Sequence, residues 1–368
     1  MLINLLYAFT NNLSSKPITE DVQTSFNFEN SPRVLFVNDL ETLETVDYYD
    51  QLSEFTFSVK DKQKIDKTIE AIKQSGGYDG NQLLIEHLSY DSESNILYIV
   101  AKKAKYSLIR TLQKSIIDGG FNEDSHFYKK TFCTAGVRAP FITKDNHTFF
   151  MMRTRPPKVY SVAAGLLEPP AGKLNPEEAD NNLVTYVACH ETLEEFLGAP
   201  NLSDAPLDEQ LKQARVTIEQ LGLNAIAIRR AKNSMRIEIE FLNPLRISCN
   251  QATMQRIITN NKAKDAYEHD ATQSITVPLD SSKRNQAIEI LVRVTNEGKF
   301  VRDPIIAVTS YLANRKHCGF FPRVLPGEST TEFVAISALI PTIHKTLSQQ
   351  TSIEENDSEE DNLKLQCF

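Results

Sequence analysis

Apolar positions along this chain recur with two periods, and the alternation between them predicts a mixture of strands and helices. Residues 1–30 carry little periodicity beyond the first ten and read as a loosely held arm. Arg33–Val37 reads as a short strand. Ile65, Ile69 and Ile72 then recur at helical spacing and stop at Gly76-Gly77. Asn95–Ala101 is a further strand, and Leu108, Leu112 and Ile116 mark a second amphipathic helix that ends at Gly119-Gly120. Residues 1–120 therefore predict a small α+β accessory domain with nothing catalytic in it.

From about Phe121 the texture changes. Gly136–Thr143 and His147–Thr154 flank Lys144-Asp145-Asn146, which predicts a hairpin turn. A Pro/Gly-rich stretch follows and leads into a glutamate-rich helix. Asp204 then suits the N-cap of another helix, with Leu207, Leu211, Ala214, Ile218 and Leu221 on one face and Gly222 as its stop. Ala225–Arg229 and Met235–Phe241 predict paired strands; in the second, Ile237, Ile239 and Phe241 alternate with Arg236, Glu238 and Glu240. Ile275–Leu279 is another strand. Two helices separated by Glu297-Gly298-Lys299 complete a domain over residues 121–345, and residues 346–368 form an acidic tail.

Composition narrows the function. No stretch approaches the roughly 18 apolar residues that cross a bilayer, and the N-terminus lacks a basic start, so neither a membrane span nor a signal peptide is expected. The 5 cysteines show no CxxC pair and read as reduced thiols of a cytoplasmic protein. Formal charge is −8, of which the stretch from Thr351 to Phe368 supplies −5. The remaining charge argues against a nucleic-acid partner and for a small-molecule substrate. The acidic tail is expected to be mobile, since it cannot bury enough surface to offset its ordering entropy.

The informative segment is Gly165–Gly198. Glu191 and Glu195 lie four apart and so share one helical face, with Glu194 beside them. Like charges stacked within one turn repel, and a divalent cation such as Mg²⁺ would remove the conflict. A solvated acidic face is the plainer alternative. His190-Glu191-x-x-Glu194 lacks the second histidine of a zinc-protease helix, and Cys189 among Val187 and Ala188 reads as a core thiol rather than a nucleophile.

This segment resembles the Nudix box: Gly172 and Glu178 match its first spacing, and His190-Glu191-Thr192-Leu193-Glu194-Glu195 matches its Arg-Glu core. Leu167-Glu168-Pro169-Pro170-Ala171-Gly172 and Arg153-Thr154-Arg155-Pro156 resemble stretches of the ADP-ribose pyrophosphatase branch, as does Glu297-Gly298-Lys299-Phe300-Val301-Arg302-Asp303. The resemblance covers about 131–315. Three departures stand out. Eleven residues rather than seven separate Glu178 from the arginine position, that position holds His190, and the closing glycine comes one residue late at Gly198.

The resemblance implies an α/β/α sandwich with a mixed sheet, within an overall α+β protein. It implies a Mg²⁺-dependent pyrophosphohydrolase, with Mn²⁺ as an alternative ion, acting on ADP-ribose or a related nucleoside diphosphate sugar. Glu191, Glu194, Glu195 and the Ala171 carbonyl would be the metal ligands. Glu194 would alternatively be a supporting acid, and His190 would take over the support that the family's arginine gives the glutamates. Arg153, Arg155 and Glu168 would bind substrate. Glu268, with Asp270 in reserve, would supply the further acid from a loop before the last core strand. A nucleotide-binding or regulatory module with weakened turnover is the alternative, and a homodimer stays open. The block Glu354–Asp361 also resembles the acidic end of proteins exported by the bacterial type IVB system, which would make the chain an effector in a host cell.

Overall fold

The computed structural model describes residues 2–5, 22–28, 30–38, 45–46, 59–74, 80–107, 109, 133–154, 158, 160–166, 176–197, 209, 212, 216–230, 237–260, 266–297 and 299. The first half supplies β1 (Leu2–Asn4), β2 (Val22–Asn27), β3 (Arg33–Phe36), β4 (Thr45–Val46), α1 (Val59–Gln74), β5 (Asn81–Asp91) and β6 (Ile96–Lys105). Next come β7 (Cys133–Ala139), β8 (Phe141–Thr143), β9 (His147–Arg153), β10 (Tyr160–Ser161), β11 (Ala163–Leu166) and α2 (Pro176–Thr192). Last are β12 (Ile218–Gln220), β13 (Ala225–Arg230), β14 (Ile237–Leu242), β15 (Leu245–Ile247), α3 (Gln251–Thr259), β16 (His269–Pro278) and α4 (Arg284–Asn296). The result is a mixed α+β protein, strand-rich, with few helices among the described residues.

The strands form two mixed sheets. The larger runs β2-β13-β14-β7-β5-β6-β3, with β1 on β5, β11 on β7 and β4 on β6. The smaller runs β10-β9-β8-β15-β12, with β16 on β9. Two prolines mark where the chain passes between them. Pro140 separates β7 from β8 and Pro244 separates β14 from β15, and both strand pairs run parallel. A proline has no N–H to continue a ladder. The neighbouring donors are used instead, Asn243 N bonding Arg138 O at 2.9 Å and Leu245 N bonding Pro140 O at 3.0 Å. Two adjacent parallel strands thus pass together from the larger sheet into the smaller.

One core fills the space between the sheets. Val137, Ile228, Ile239 and Phe241 from the larger sheet meet Phe141, Phe149 and Met151 from the smaller, with Leu193 and Phe196 from the end of α2. Each such fully buried side chain stabilises by roughly 1.5–3 kcal/mol relative to exposure. The other face of the smaller sheet, including Phe150, Met152 and Val277, packs on Ala287 and Val294 of α4.

Several sequence expectations are met: the 33–37 and 95–101 strands, the first helix, the paired strands at 225–241, and the hairpin turn. In that turn Asn146 takes the left-handed conformation (φ 56°), and Asp145 accepts from Thr143 Oγ1 at 2.7 Å. Two expectations are corrected. The supposed arm contains β1 and β2, and all six residues of β2 pair with β13. Its alternation was too short to register, yet an open edge of the larger sheet satisfies its backbone. The helical stripe ending at Leu221 does not extend to its end, because Ile218–Gln220 is a strand paired with β15. Gly222 keeps a positive φ (76°) in the following loop rather than stopping a helix. The boundary near residue 120, the helix from Leu108, the second of the last two helices and the acidic tail lie outside the described residues.

Candidate active site

The α2 helix does not end at Thr192 but continues as a π-helical turn over Leu193–Leu197, all five of whose residues are buried. Thr192 Oγ1 donates to Ala188 O at 2.8 Å just before it. A wider turn changes which side chains share a face, and such turns recur at functional sites. Here it divides the glutamates into two groups. The ligand atoms of His190, Glu191 and Glu194 lie within 4.8 Å of one another. His190 Nε2 stands 3.5 Å from Glu194 Oε1, and its ring stacks on Tyr186 with centroids 5.7 Å apart. Burial, then the Glu194 charge, raises the Tyr186 pKa.

Glu195 lies outside that group. Its Oε2 is 3.0 Å from His269 Nε2, and its Oε1 is 3.5 Å from the backbone nitrogen of Ala164 on β11. Both side chains are almost wholly enclosed, at 7% and 4% exposure. Burial, partly offset by the Glu268 charge and reinforced by Arg153, pushes the His269 pKa down to about 4. The imidazole is therefore neutral near pH 7. Against an ionised Glu195, which only accepts, the neutral ring would carry its proton on Nε2 and donate it to the carboxylate. Phe196 packs on the same ring at 5.0 Å.

A pinned loop brings the next group in. Thr154 N donates to Glu268 O at 2.9 Å and Thr154 Oγ1 to Tyr267 O at 2.9 Å, which ties the single turn Ala266–Glu268 to the end of β9. Arg153 then stands opposite His269 in the β9–β16 register. Arg153, Glu195, Glu268 and His269 all line one cavity of about 250 Å³. Ser161, Val162 and Ala164 form another side of it.

The cavity's remaining wall is the polar face of the larger sheet. Arg138 on β7 donates from Nη2 to Glu240 Oε1 on β14 at 3.0 Å. Arg229 on β13 donates from Nε to Glu238 Oε2 at 2.8 Å and also from Nη2. Sequence reasoning missed these four residues and His269 as site residues. The alternation of Glu238 and Glu240 with apolar neighbours was visible, but their partners come from strands that only register brings alongside.

Of the residues singled out from sequence, Arg153, Glu195 and Glu268 meet in the cavity, while His190, Glu191 and Glu194 form the adjoining cluster. Asp270 does neither as a lining residue: it accepts from Thr272 Oγ1 (2.6 Å), Thr272 N (2.9 Å) and Gln273 Nε2 (2.7 Å) at the bulge between Asp270 and Ser274. Those bonds, the Thr272 hydroxyl first, lower its pKa. Arg155, Glu168 and Ala171 lie outside the described residues. Cys189 is buried, and burial pushes its thiol up to about 12, so no thiolate is on hand.

The carboxylate donor set suits a hard cation: Mg²⁺ takes carboxylate oxygens and keeps waters for phosphate, and Mn²⁺ accepts the same ligands. No helix among the described residues is long and apolar enough to cross a membrane. Neither the family models nor the curated proteins searched give a match to this chain.

Proposed function

We propose that this chain is a Nudix-type pyrophosphohydrolase that uses Mg²⁺ or Mn²⁺ to cleave a nucleoside diphosphate sugar, giving a nucleoside monophosphate and a sugar phosphate. The observation that carries the reading is the meeting of Glu195, Glu268 and Arg153, from three separate stretches of sequence, in one cavity beside the His190, Glu191 and Glu194 cluster. The π-turn adds support. The chain has one residue more between Glu195 and Gly198 than the family pattern, and a π-turn takes up one extra residue without unwinding the helix.

Glu191 and Glu194 in one group and Glu195 in the other would hold divalent ions, which would supply charge neutralisation for the pyrophosphate and a more acidic bound water. The cavity's three arginines face four glutamates, so an anionic substrate is not drawn in by charge alone. Arg153 carries a planar fork matched to phosphate oxygens and orients the scissile group. Glu268, held at the cavity by the Thr154 bonds, accepts a proton from the attacking water. His269 fixes one oxygen of Glu195 and brings no charge of its own. His190 steadies Glu194 from one turn away.

Release of nucleoside monophosphate and sugar phosphate from a panel of nucleoside diphosphate sugars, with and without Mg²⁺, tests the reading against a binding module without turnover. Metal-dependent release that Glu195→Gln abolishes supports the enzyme. No release from any member of the panel would sink it.

A further inference from the structure

We propose that Asp270 is a positioning residue, whose carboxylate clamps a three-residue bulge in β16 and so holds His269 and Glu268 at the cavity. Register shows what the bulge does. Ser274 lies opposite Met151 on β9 and Asp270 opposite Met152, so Ala271, Thr272 and Gln273 are looped out between neighbouring rungs. An unbroken ladder counted from Ser274 would set Thr272, not His269, opposite Arg153. His269 would then fall three rungs further along, about 10 Å away at the usual strand rise. Side chains alternate between faces, so an odd shift also turns each one over. The bulge thus decides where His269 sits, and that it shares the face of Arg153 and Met151, towards Phe196 and Glu195. Glu268, one residue earlier, is set by the same offset, which brings its carbonyl to the Thr154 N–H at 2.9 Å.

Residues looped out of a ladder lose their cross-strand bonds. Thr272 and Gln273 are exposed, so burial does not fix them either. Asp270 replaces what is lost. Its Oδ1 accepts from Thr272 N at 2.9 Å and from Thr272 Oγ1 at 2.6 Å, and its Oδ2 accepts from Gln273 Nε2 at 2.7 Å. Bonds to an ionised acceptor are about twice as strong as neutral ones. The flanks are tied separately. Thr154 Oγ1 donates to Tyr267 O on one side, and Gln255 Nε2 of α3 donates to Ser274 Oγ at 3.1 Å on the other. Glu268 and His269 lie between the Thr154 tie and the bulge, so slack in the bulge is felt at both. Asp270 itself is paired with Met152, on the reverse of the face that bears His269, and so acts on the cavity only through its neighbours. Bulges beside active sites serve this purpose, re-aiming a side chain that plain alternation would misplace.

Two measurements on the full chain test this. The first is acylation of His269 by diethyl pyrocarbonate, read by mass spectrometry of its peptide. At 4% side-chain exposure His269 should be nearly inert in the wild type. Asp270→Ala should raise its rate at least about tenfold, the worth of one bond to a charged group, while His147 keeps its own rate. Asp270→Asn keeps an acceptor for Thr272 and should leave His269 protected to within about threefold. The second is steady-state hydrolysis of ADP-ribose with Mg²⁺, whose interpretation rests on the pyrophosphatase reading. Asp270→Ala should lower kcat about 100-fold, as a displacement of about 1 Å at a catalytic group does, with KM changed less than about threefold. Asp270→Asn should restore most of it. Should Asp270→Ala lose its native circular dichroism, Thr272→Val, which removes the shortest of the three bonds, should raise the acylation rate about threefold or more. Wild-type protection of His269 in these variants, an unchanged kcat, or an Asp270→Asn as damaged as Asp270→Ala would overturn the proposal, the last by making Asp270 itself the acid. Acylation is read without turnover, so a chain that loses protection as expected but hydrolyses nothing would sink only the pyrophosphatase reading.

Discussion

On the helix side of the cavity, Glu195 meets a neutral imidazole; on the sheet side, Glu238 and Glu240 meet guanidinium ions. Both arrangements hold a carboxylate in place, but they leave it in different electrical states. A hydrogen bond with neutral His269 fixes the oxygen and places no positive charge beside it. An arginine fixes the oxygen and cancels the charge. Burial decides the difference. It keeps His269 unprotonated, whereas a guanidinium stays charged wherever it sits.

Removing the uncancelled charge should have the largest effect. Glu195→Gln or Glu191→Gln deprives the ion of a ligand worth several kcal/mol, on the order of a thousandfold in kcat/KM. Stability should hold, since a like charge is removed from the helix. Thermal melts and steady-state kinetics check this together, and near-native activity in either variant would remove that residue from the ligand set.

The second prediction tests whether neutrality at His269 matters. His269→Ala should weaken Mn²⁺ binding, read by electron paramagnetic resonance, by about 10–100-fold, as for other residues that orient metal ligands. His269→Gln keeps an N–H donor without a titratable ring and should recover most of it. Protonation gives a separate check. The folded pKa of about 4 lies below the ordinary 6.5, so between those values the unfolded chain binds more protons. Stability is then fully present above about pH 6.5 and falls by on the order of 3 kcal/mol as pH drops towards 4. His269→Gln should flatten that decline in denaturant titrations; an unchanged slope would show that another group causes it.

The sheet pairs should differ from one another. Arg138→Ala leaves Glu240, 11% exposed, without its guanidinium, and should cost up to about 3 kcal/mol. Arg229→Ala acts at a pair 21% exposed on each side and should cost about 1 kcal/mol or less. Chemical denaturation distinguishes them, and equal losses would mean that the two pairs are equally enclosed. The smallest change concerns His190. His190→Arg should preserve or raise activity, while His190→Ala should lower it several-fold through Glu194. If His190→Arg abolishes turnover and His190→Ala does not, His190 is not in the arginine's place.

Much of the strand and helix content followed from local pattern, because a half-buried strand such as Ile237–Leu242 must alternate and a helix such as Val59–Gln74 must repeat its apolar residues. The glutamates of the candidate site were also legible, since Glu191, Glu194 and Glu195 are neighbours on one helix and Glu268 lies just before a strand. The α3 helix was missed although Asn250 caps it by accepting from Thr253 N at 2.9 Å and Met254 and Ile258 anchor it, four residues apart. Two apolar contacts are too short a pattern to stand out.

Tertiary structure decided the rest. That Glu195 turns towards His269 while Glu194 turns towards His190 depends on the π-turn, which no propensity within Leu193–Leu197 announces. That β2 belongs to the sheet depends on an edge offered by β13, about two hundred residues away in sequence. The pairing of Arg138 with Glu240 spans 102 residues and exists only because β7 and β14 run parallel in one register. Local periodicity records which side of an element faces the core. Which partner it meets is set by register and by the passage of β7–β8 and β14–β15 from one sheet to the other at Pro140 and Pro244.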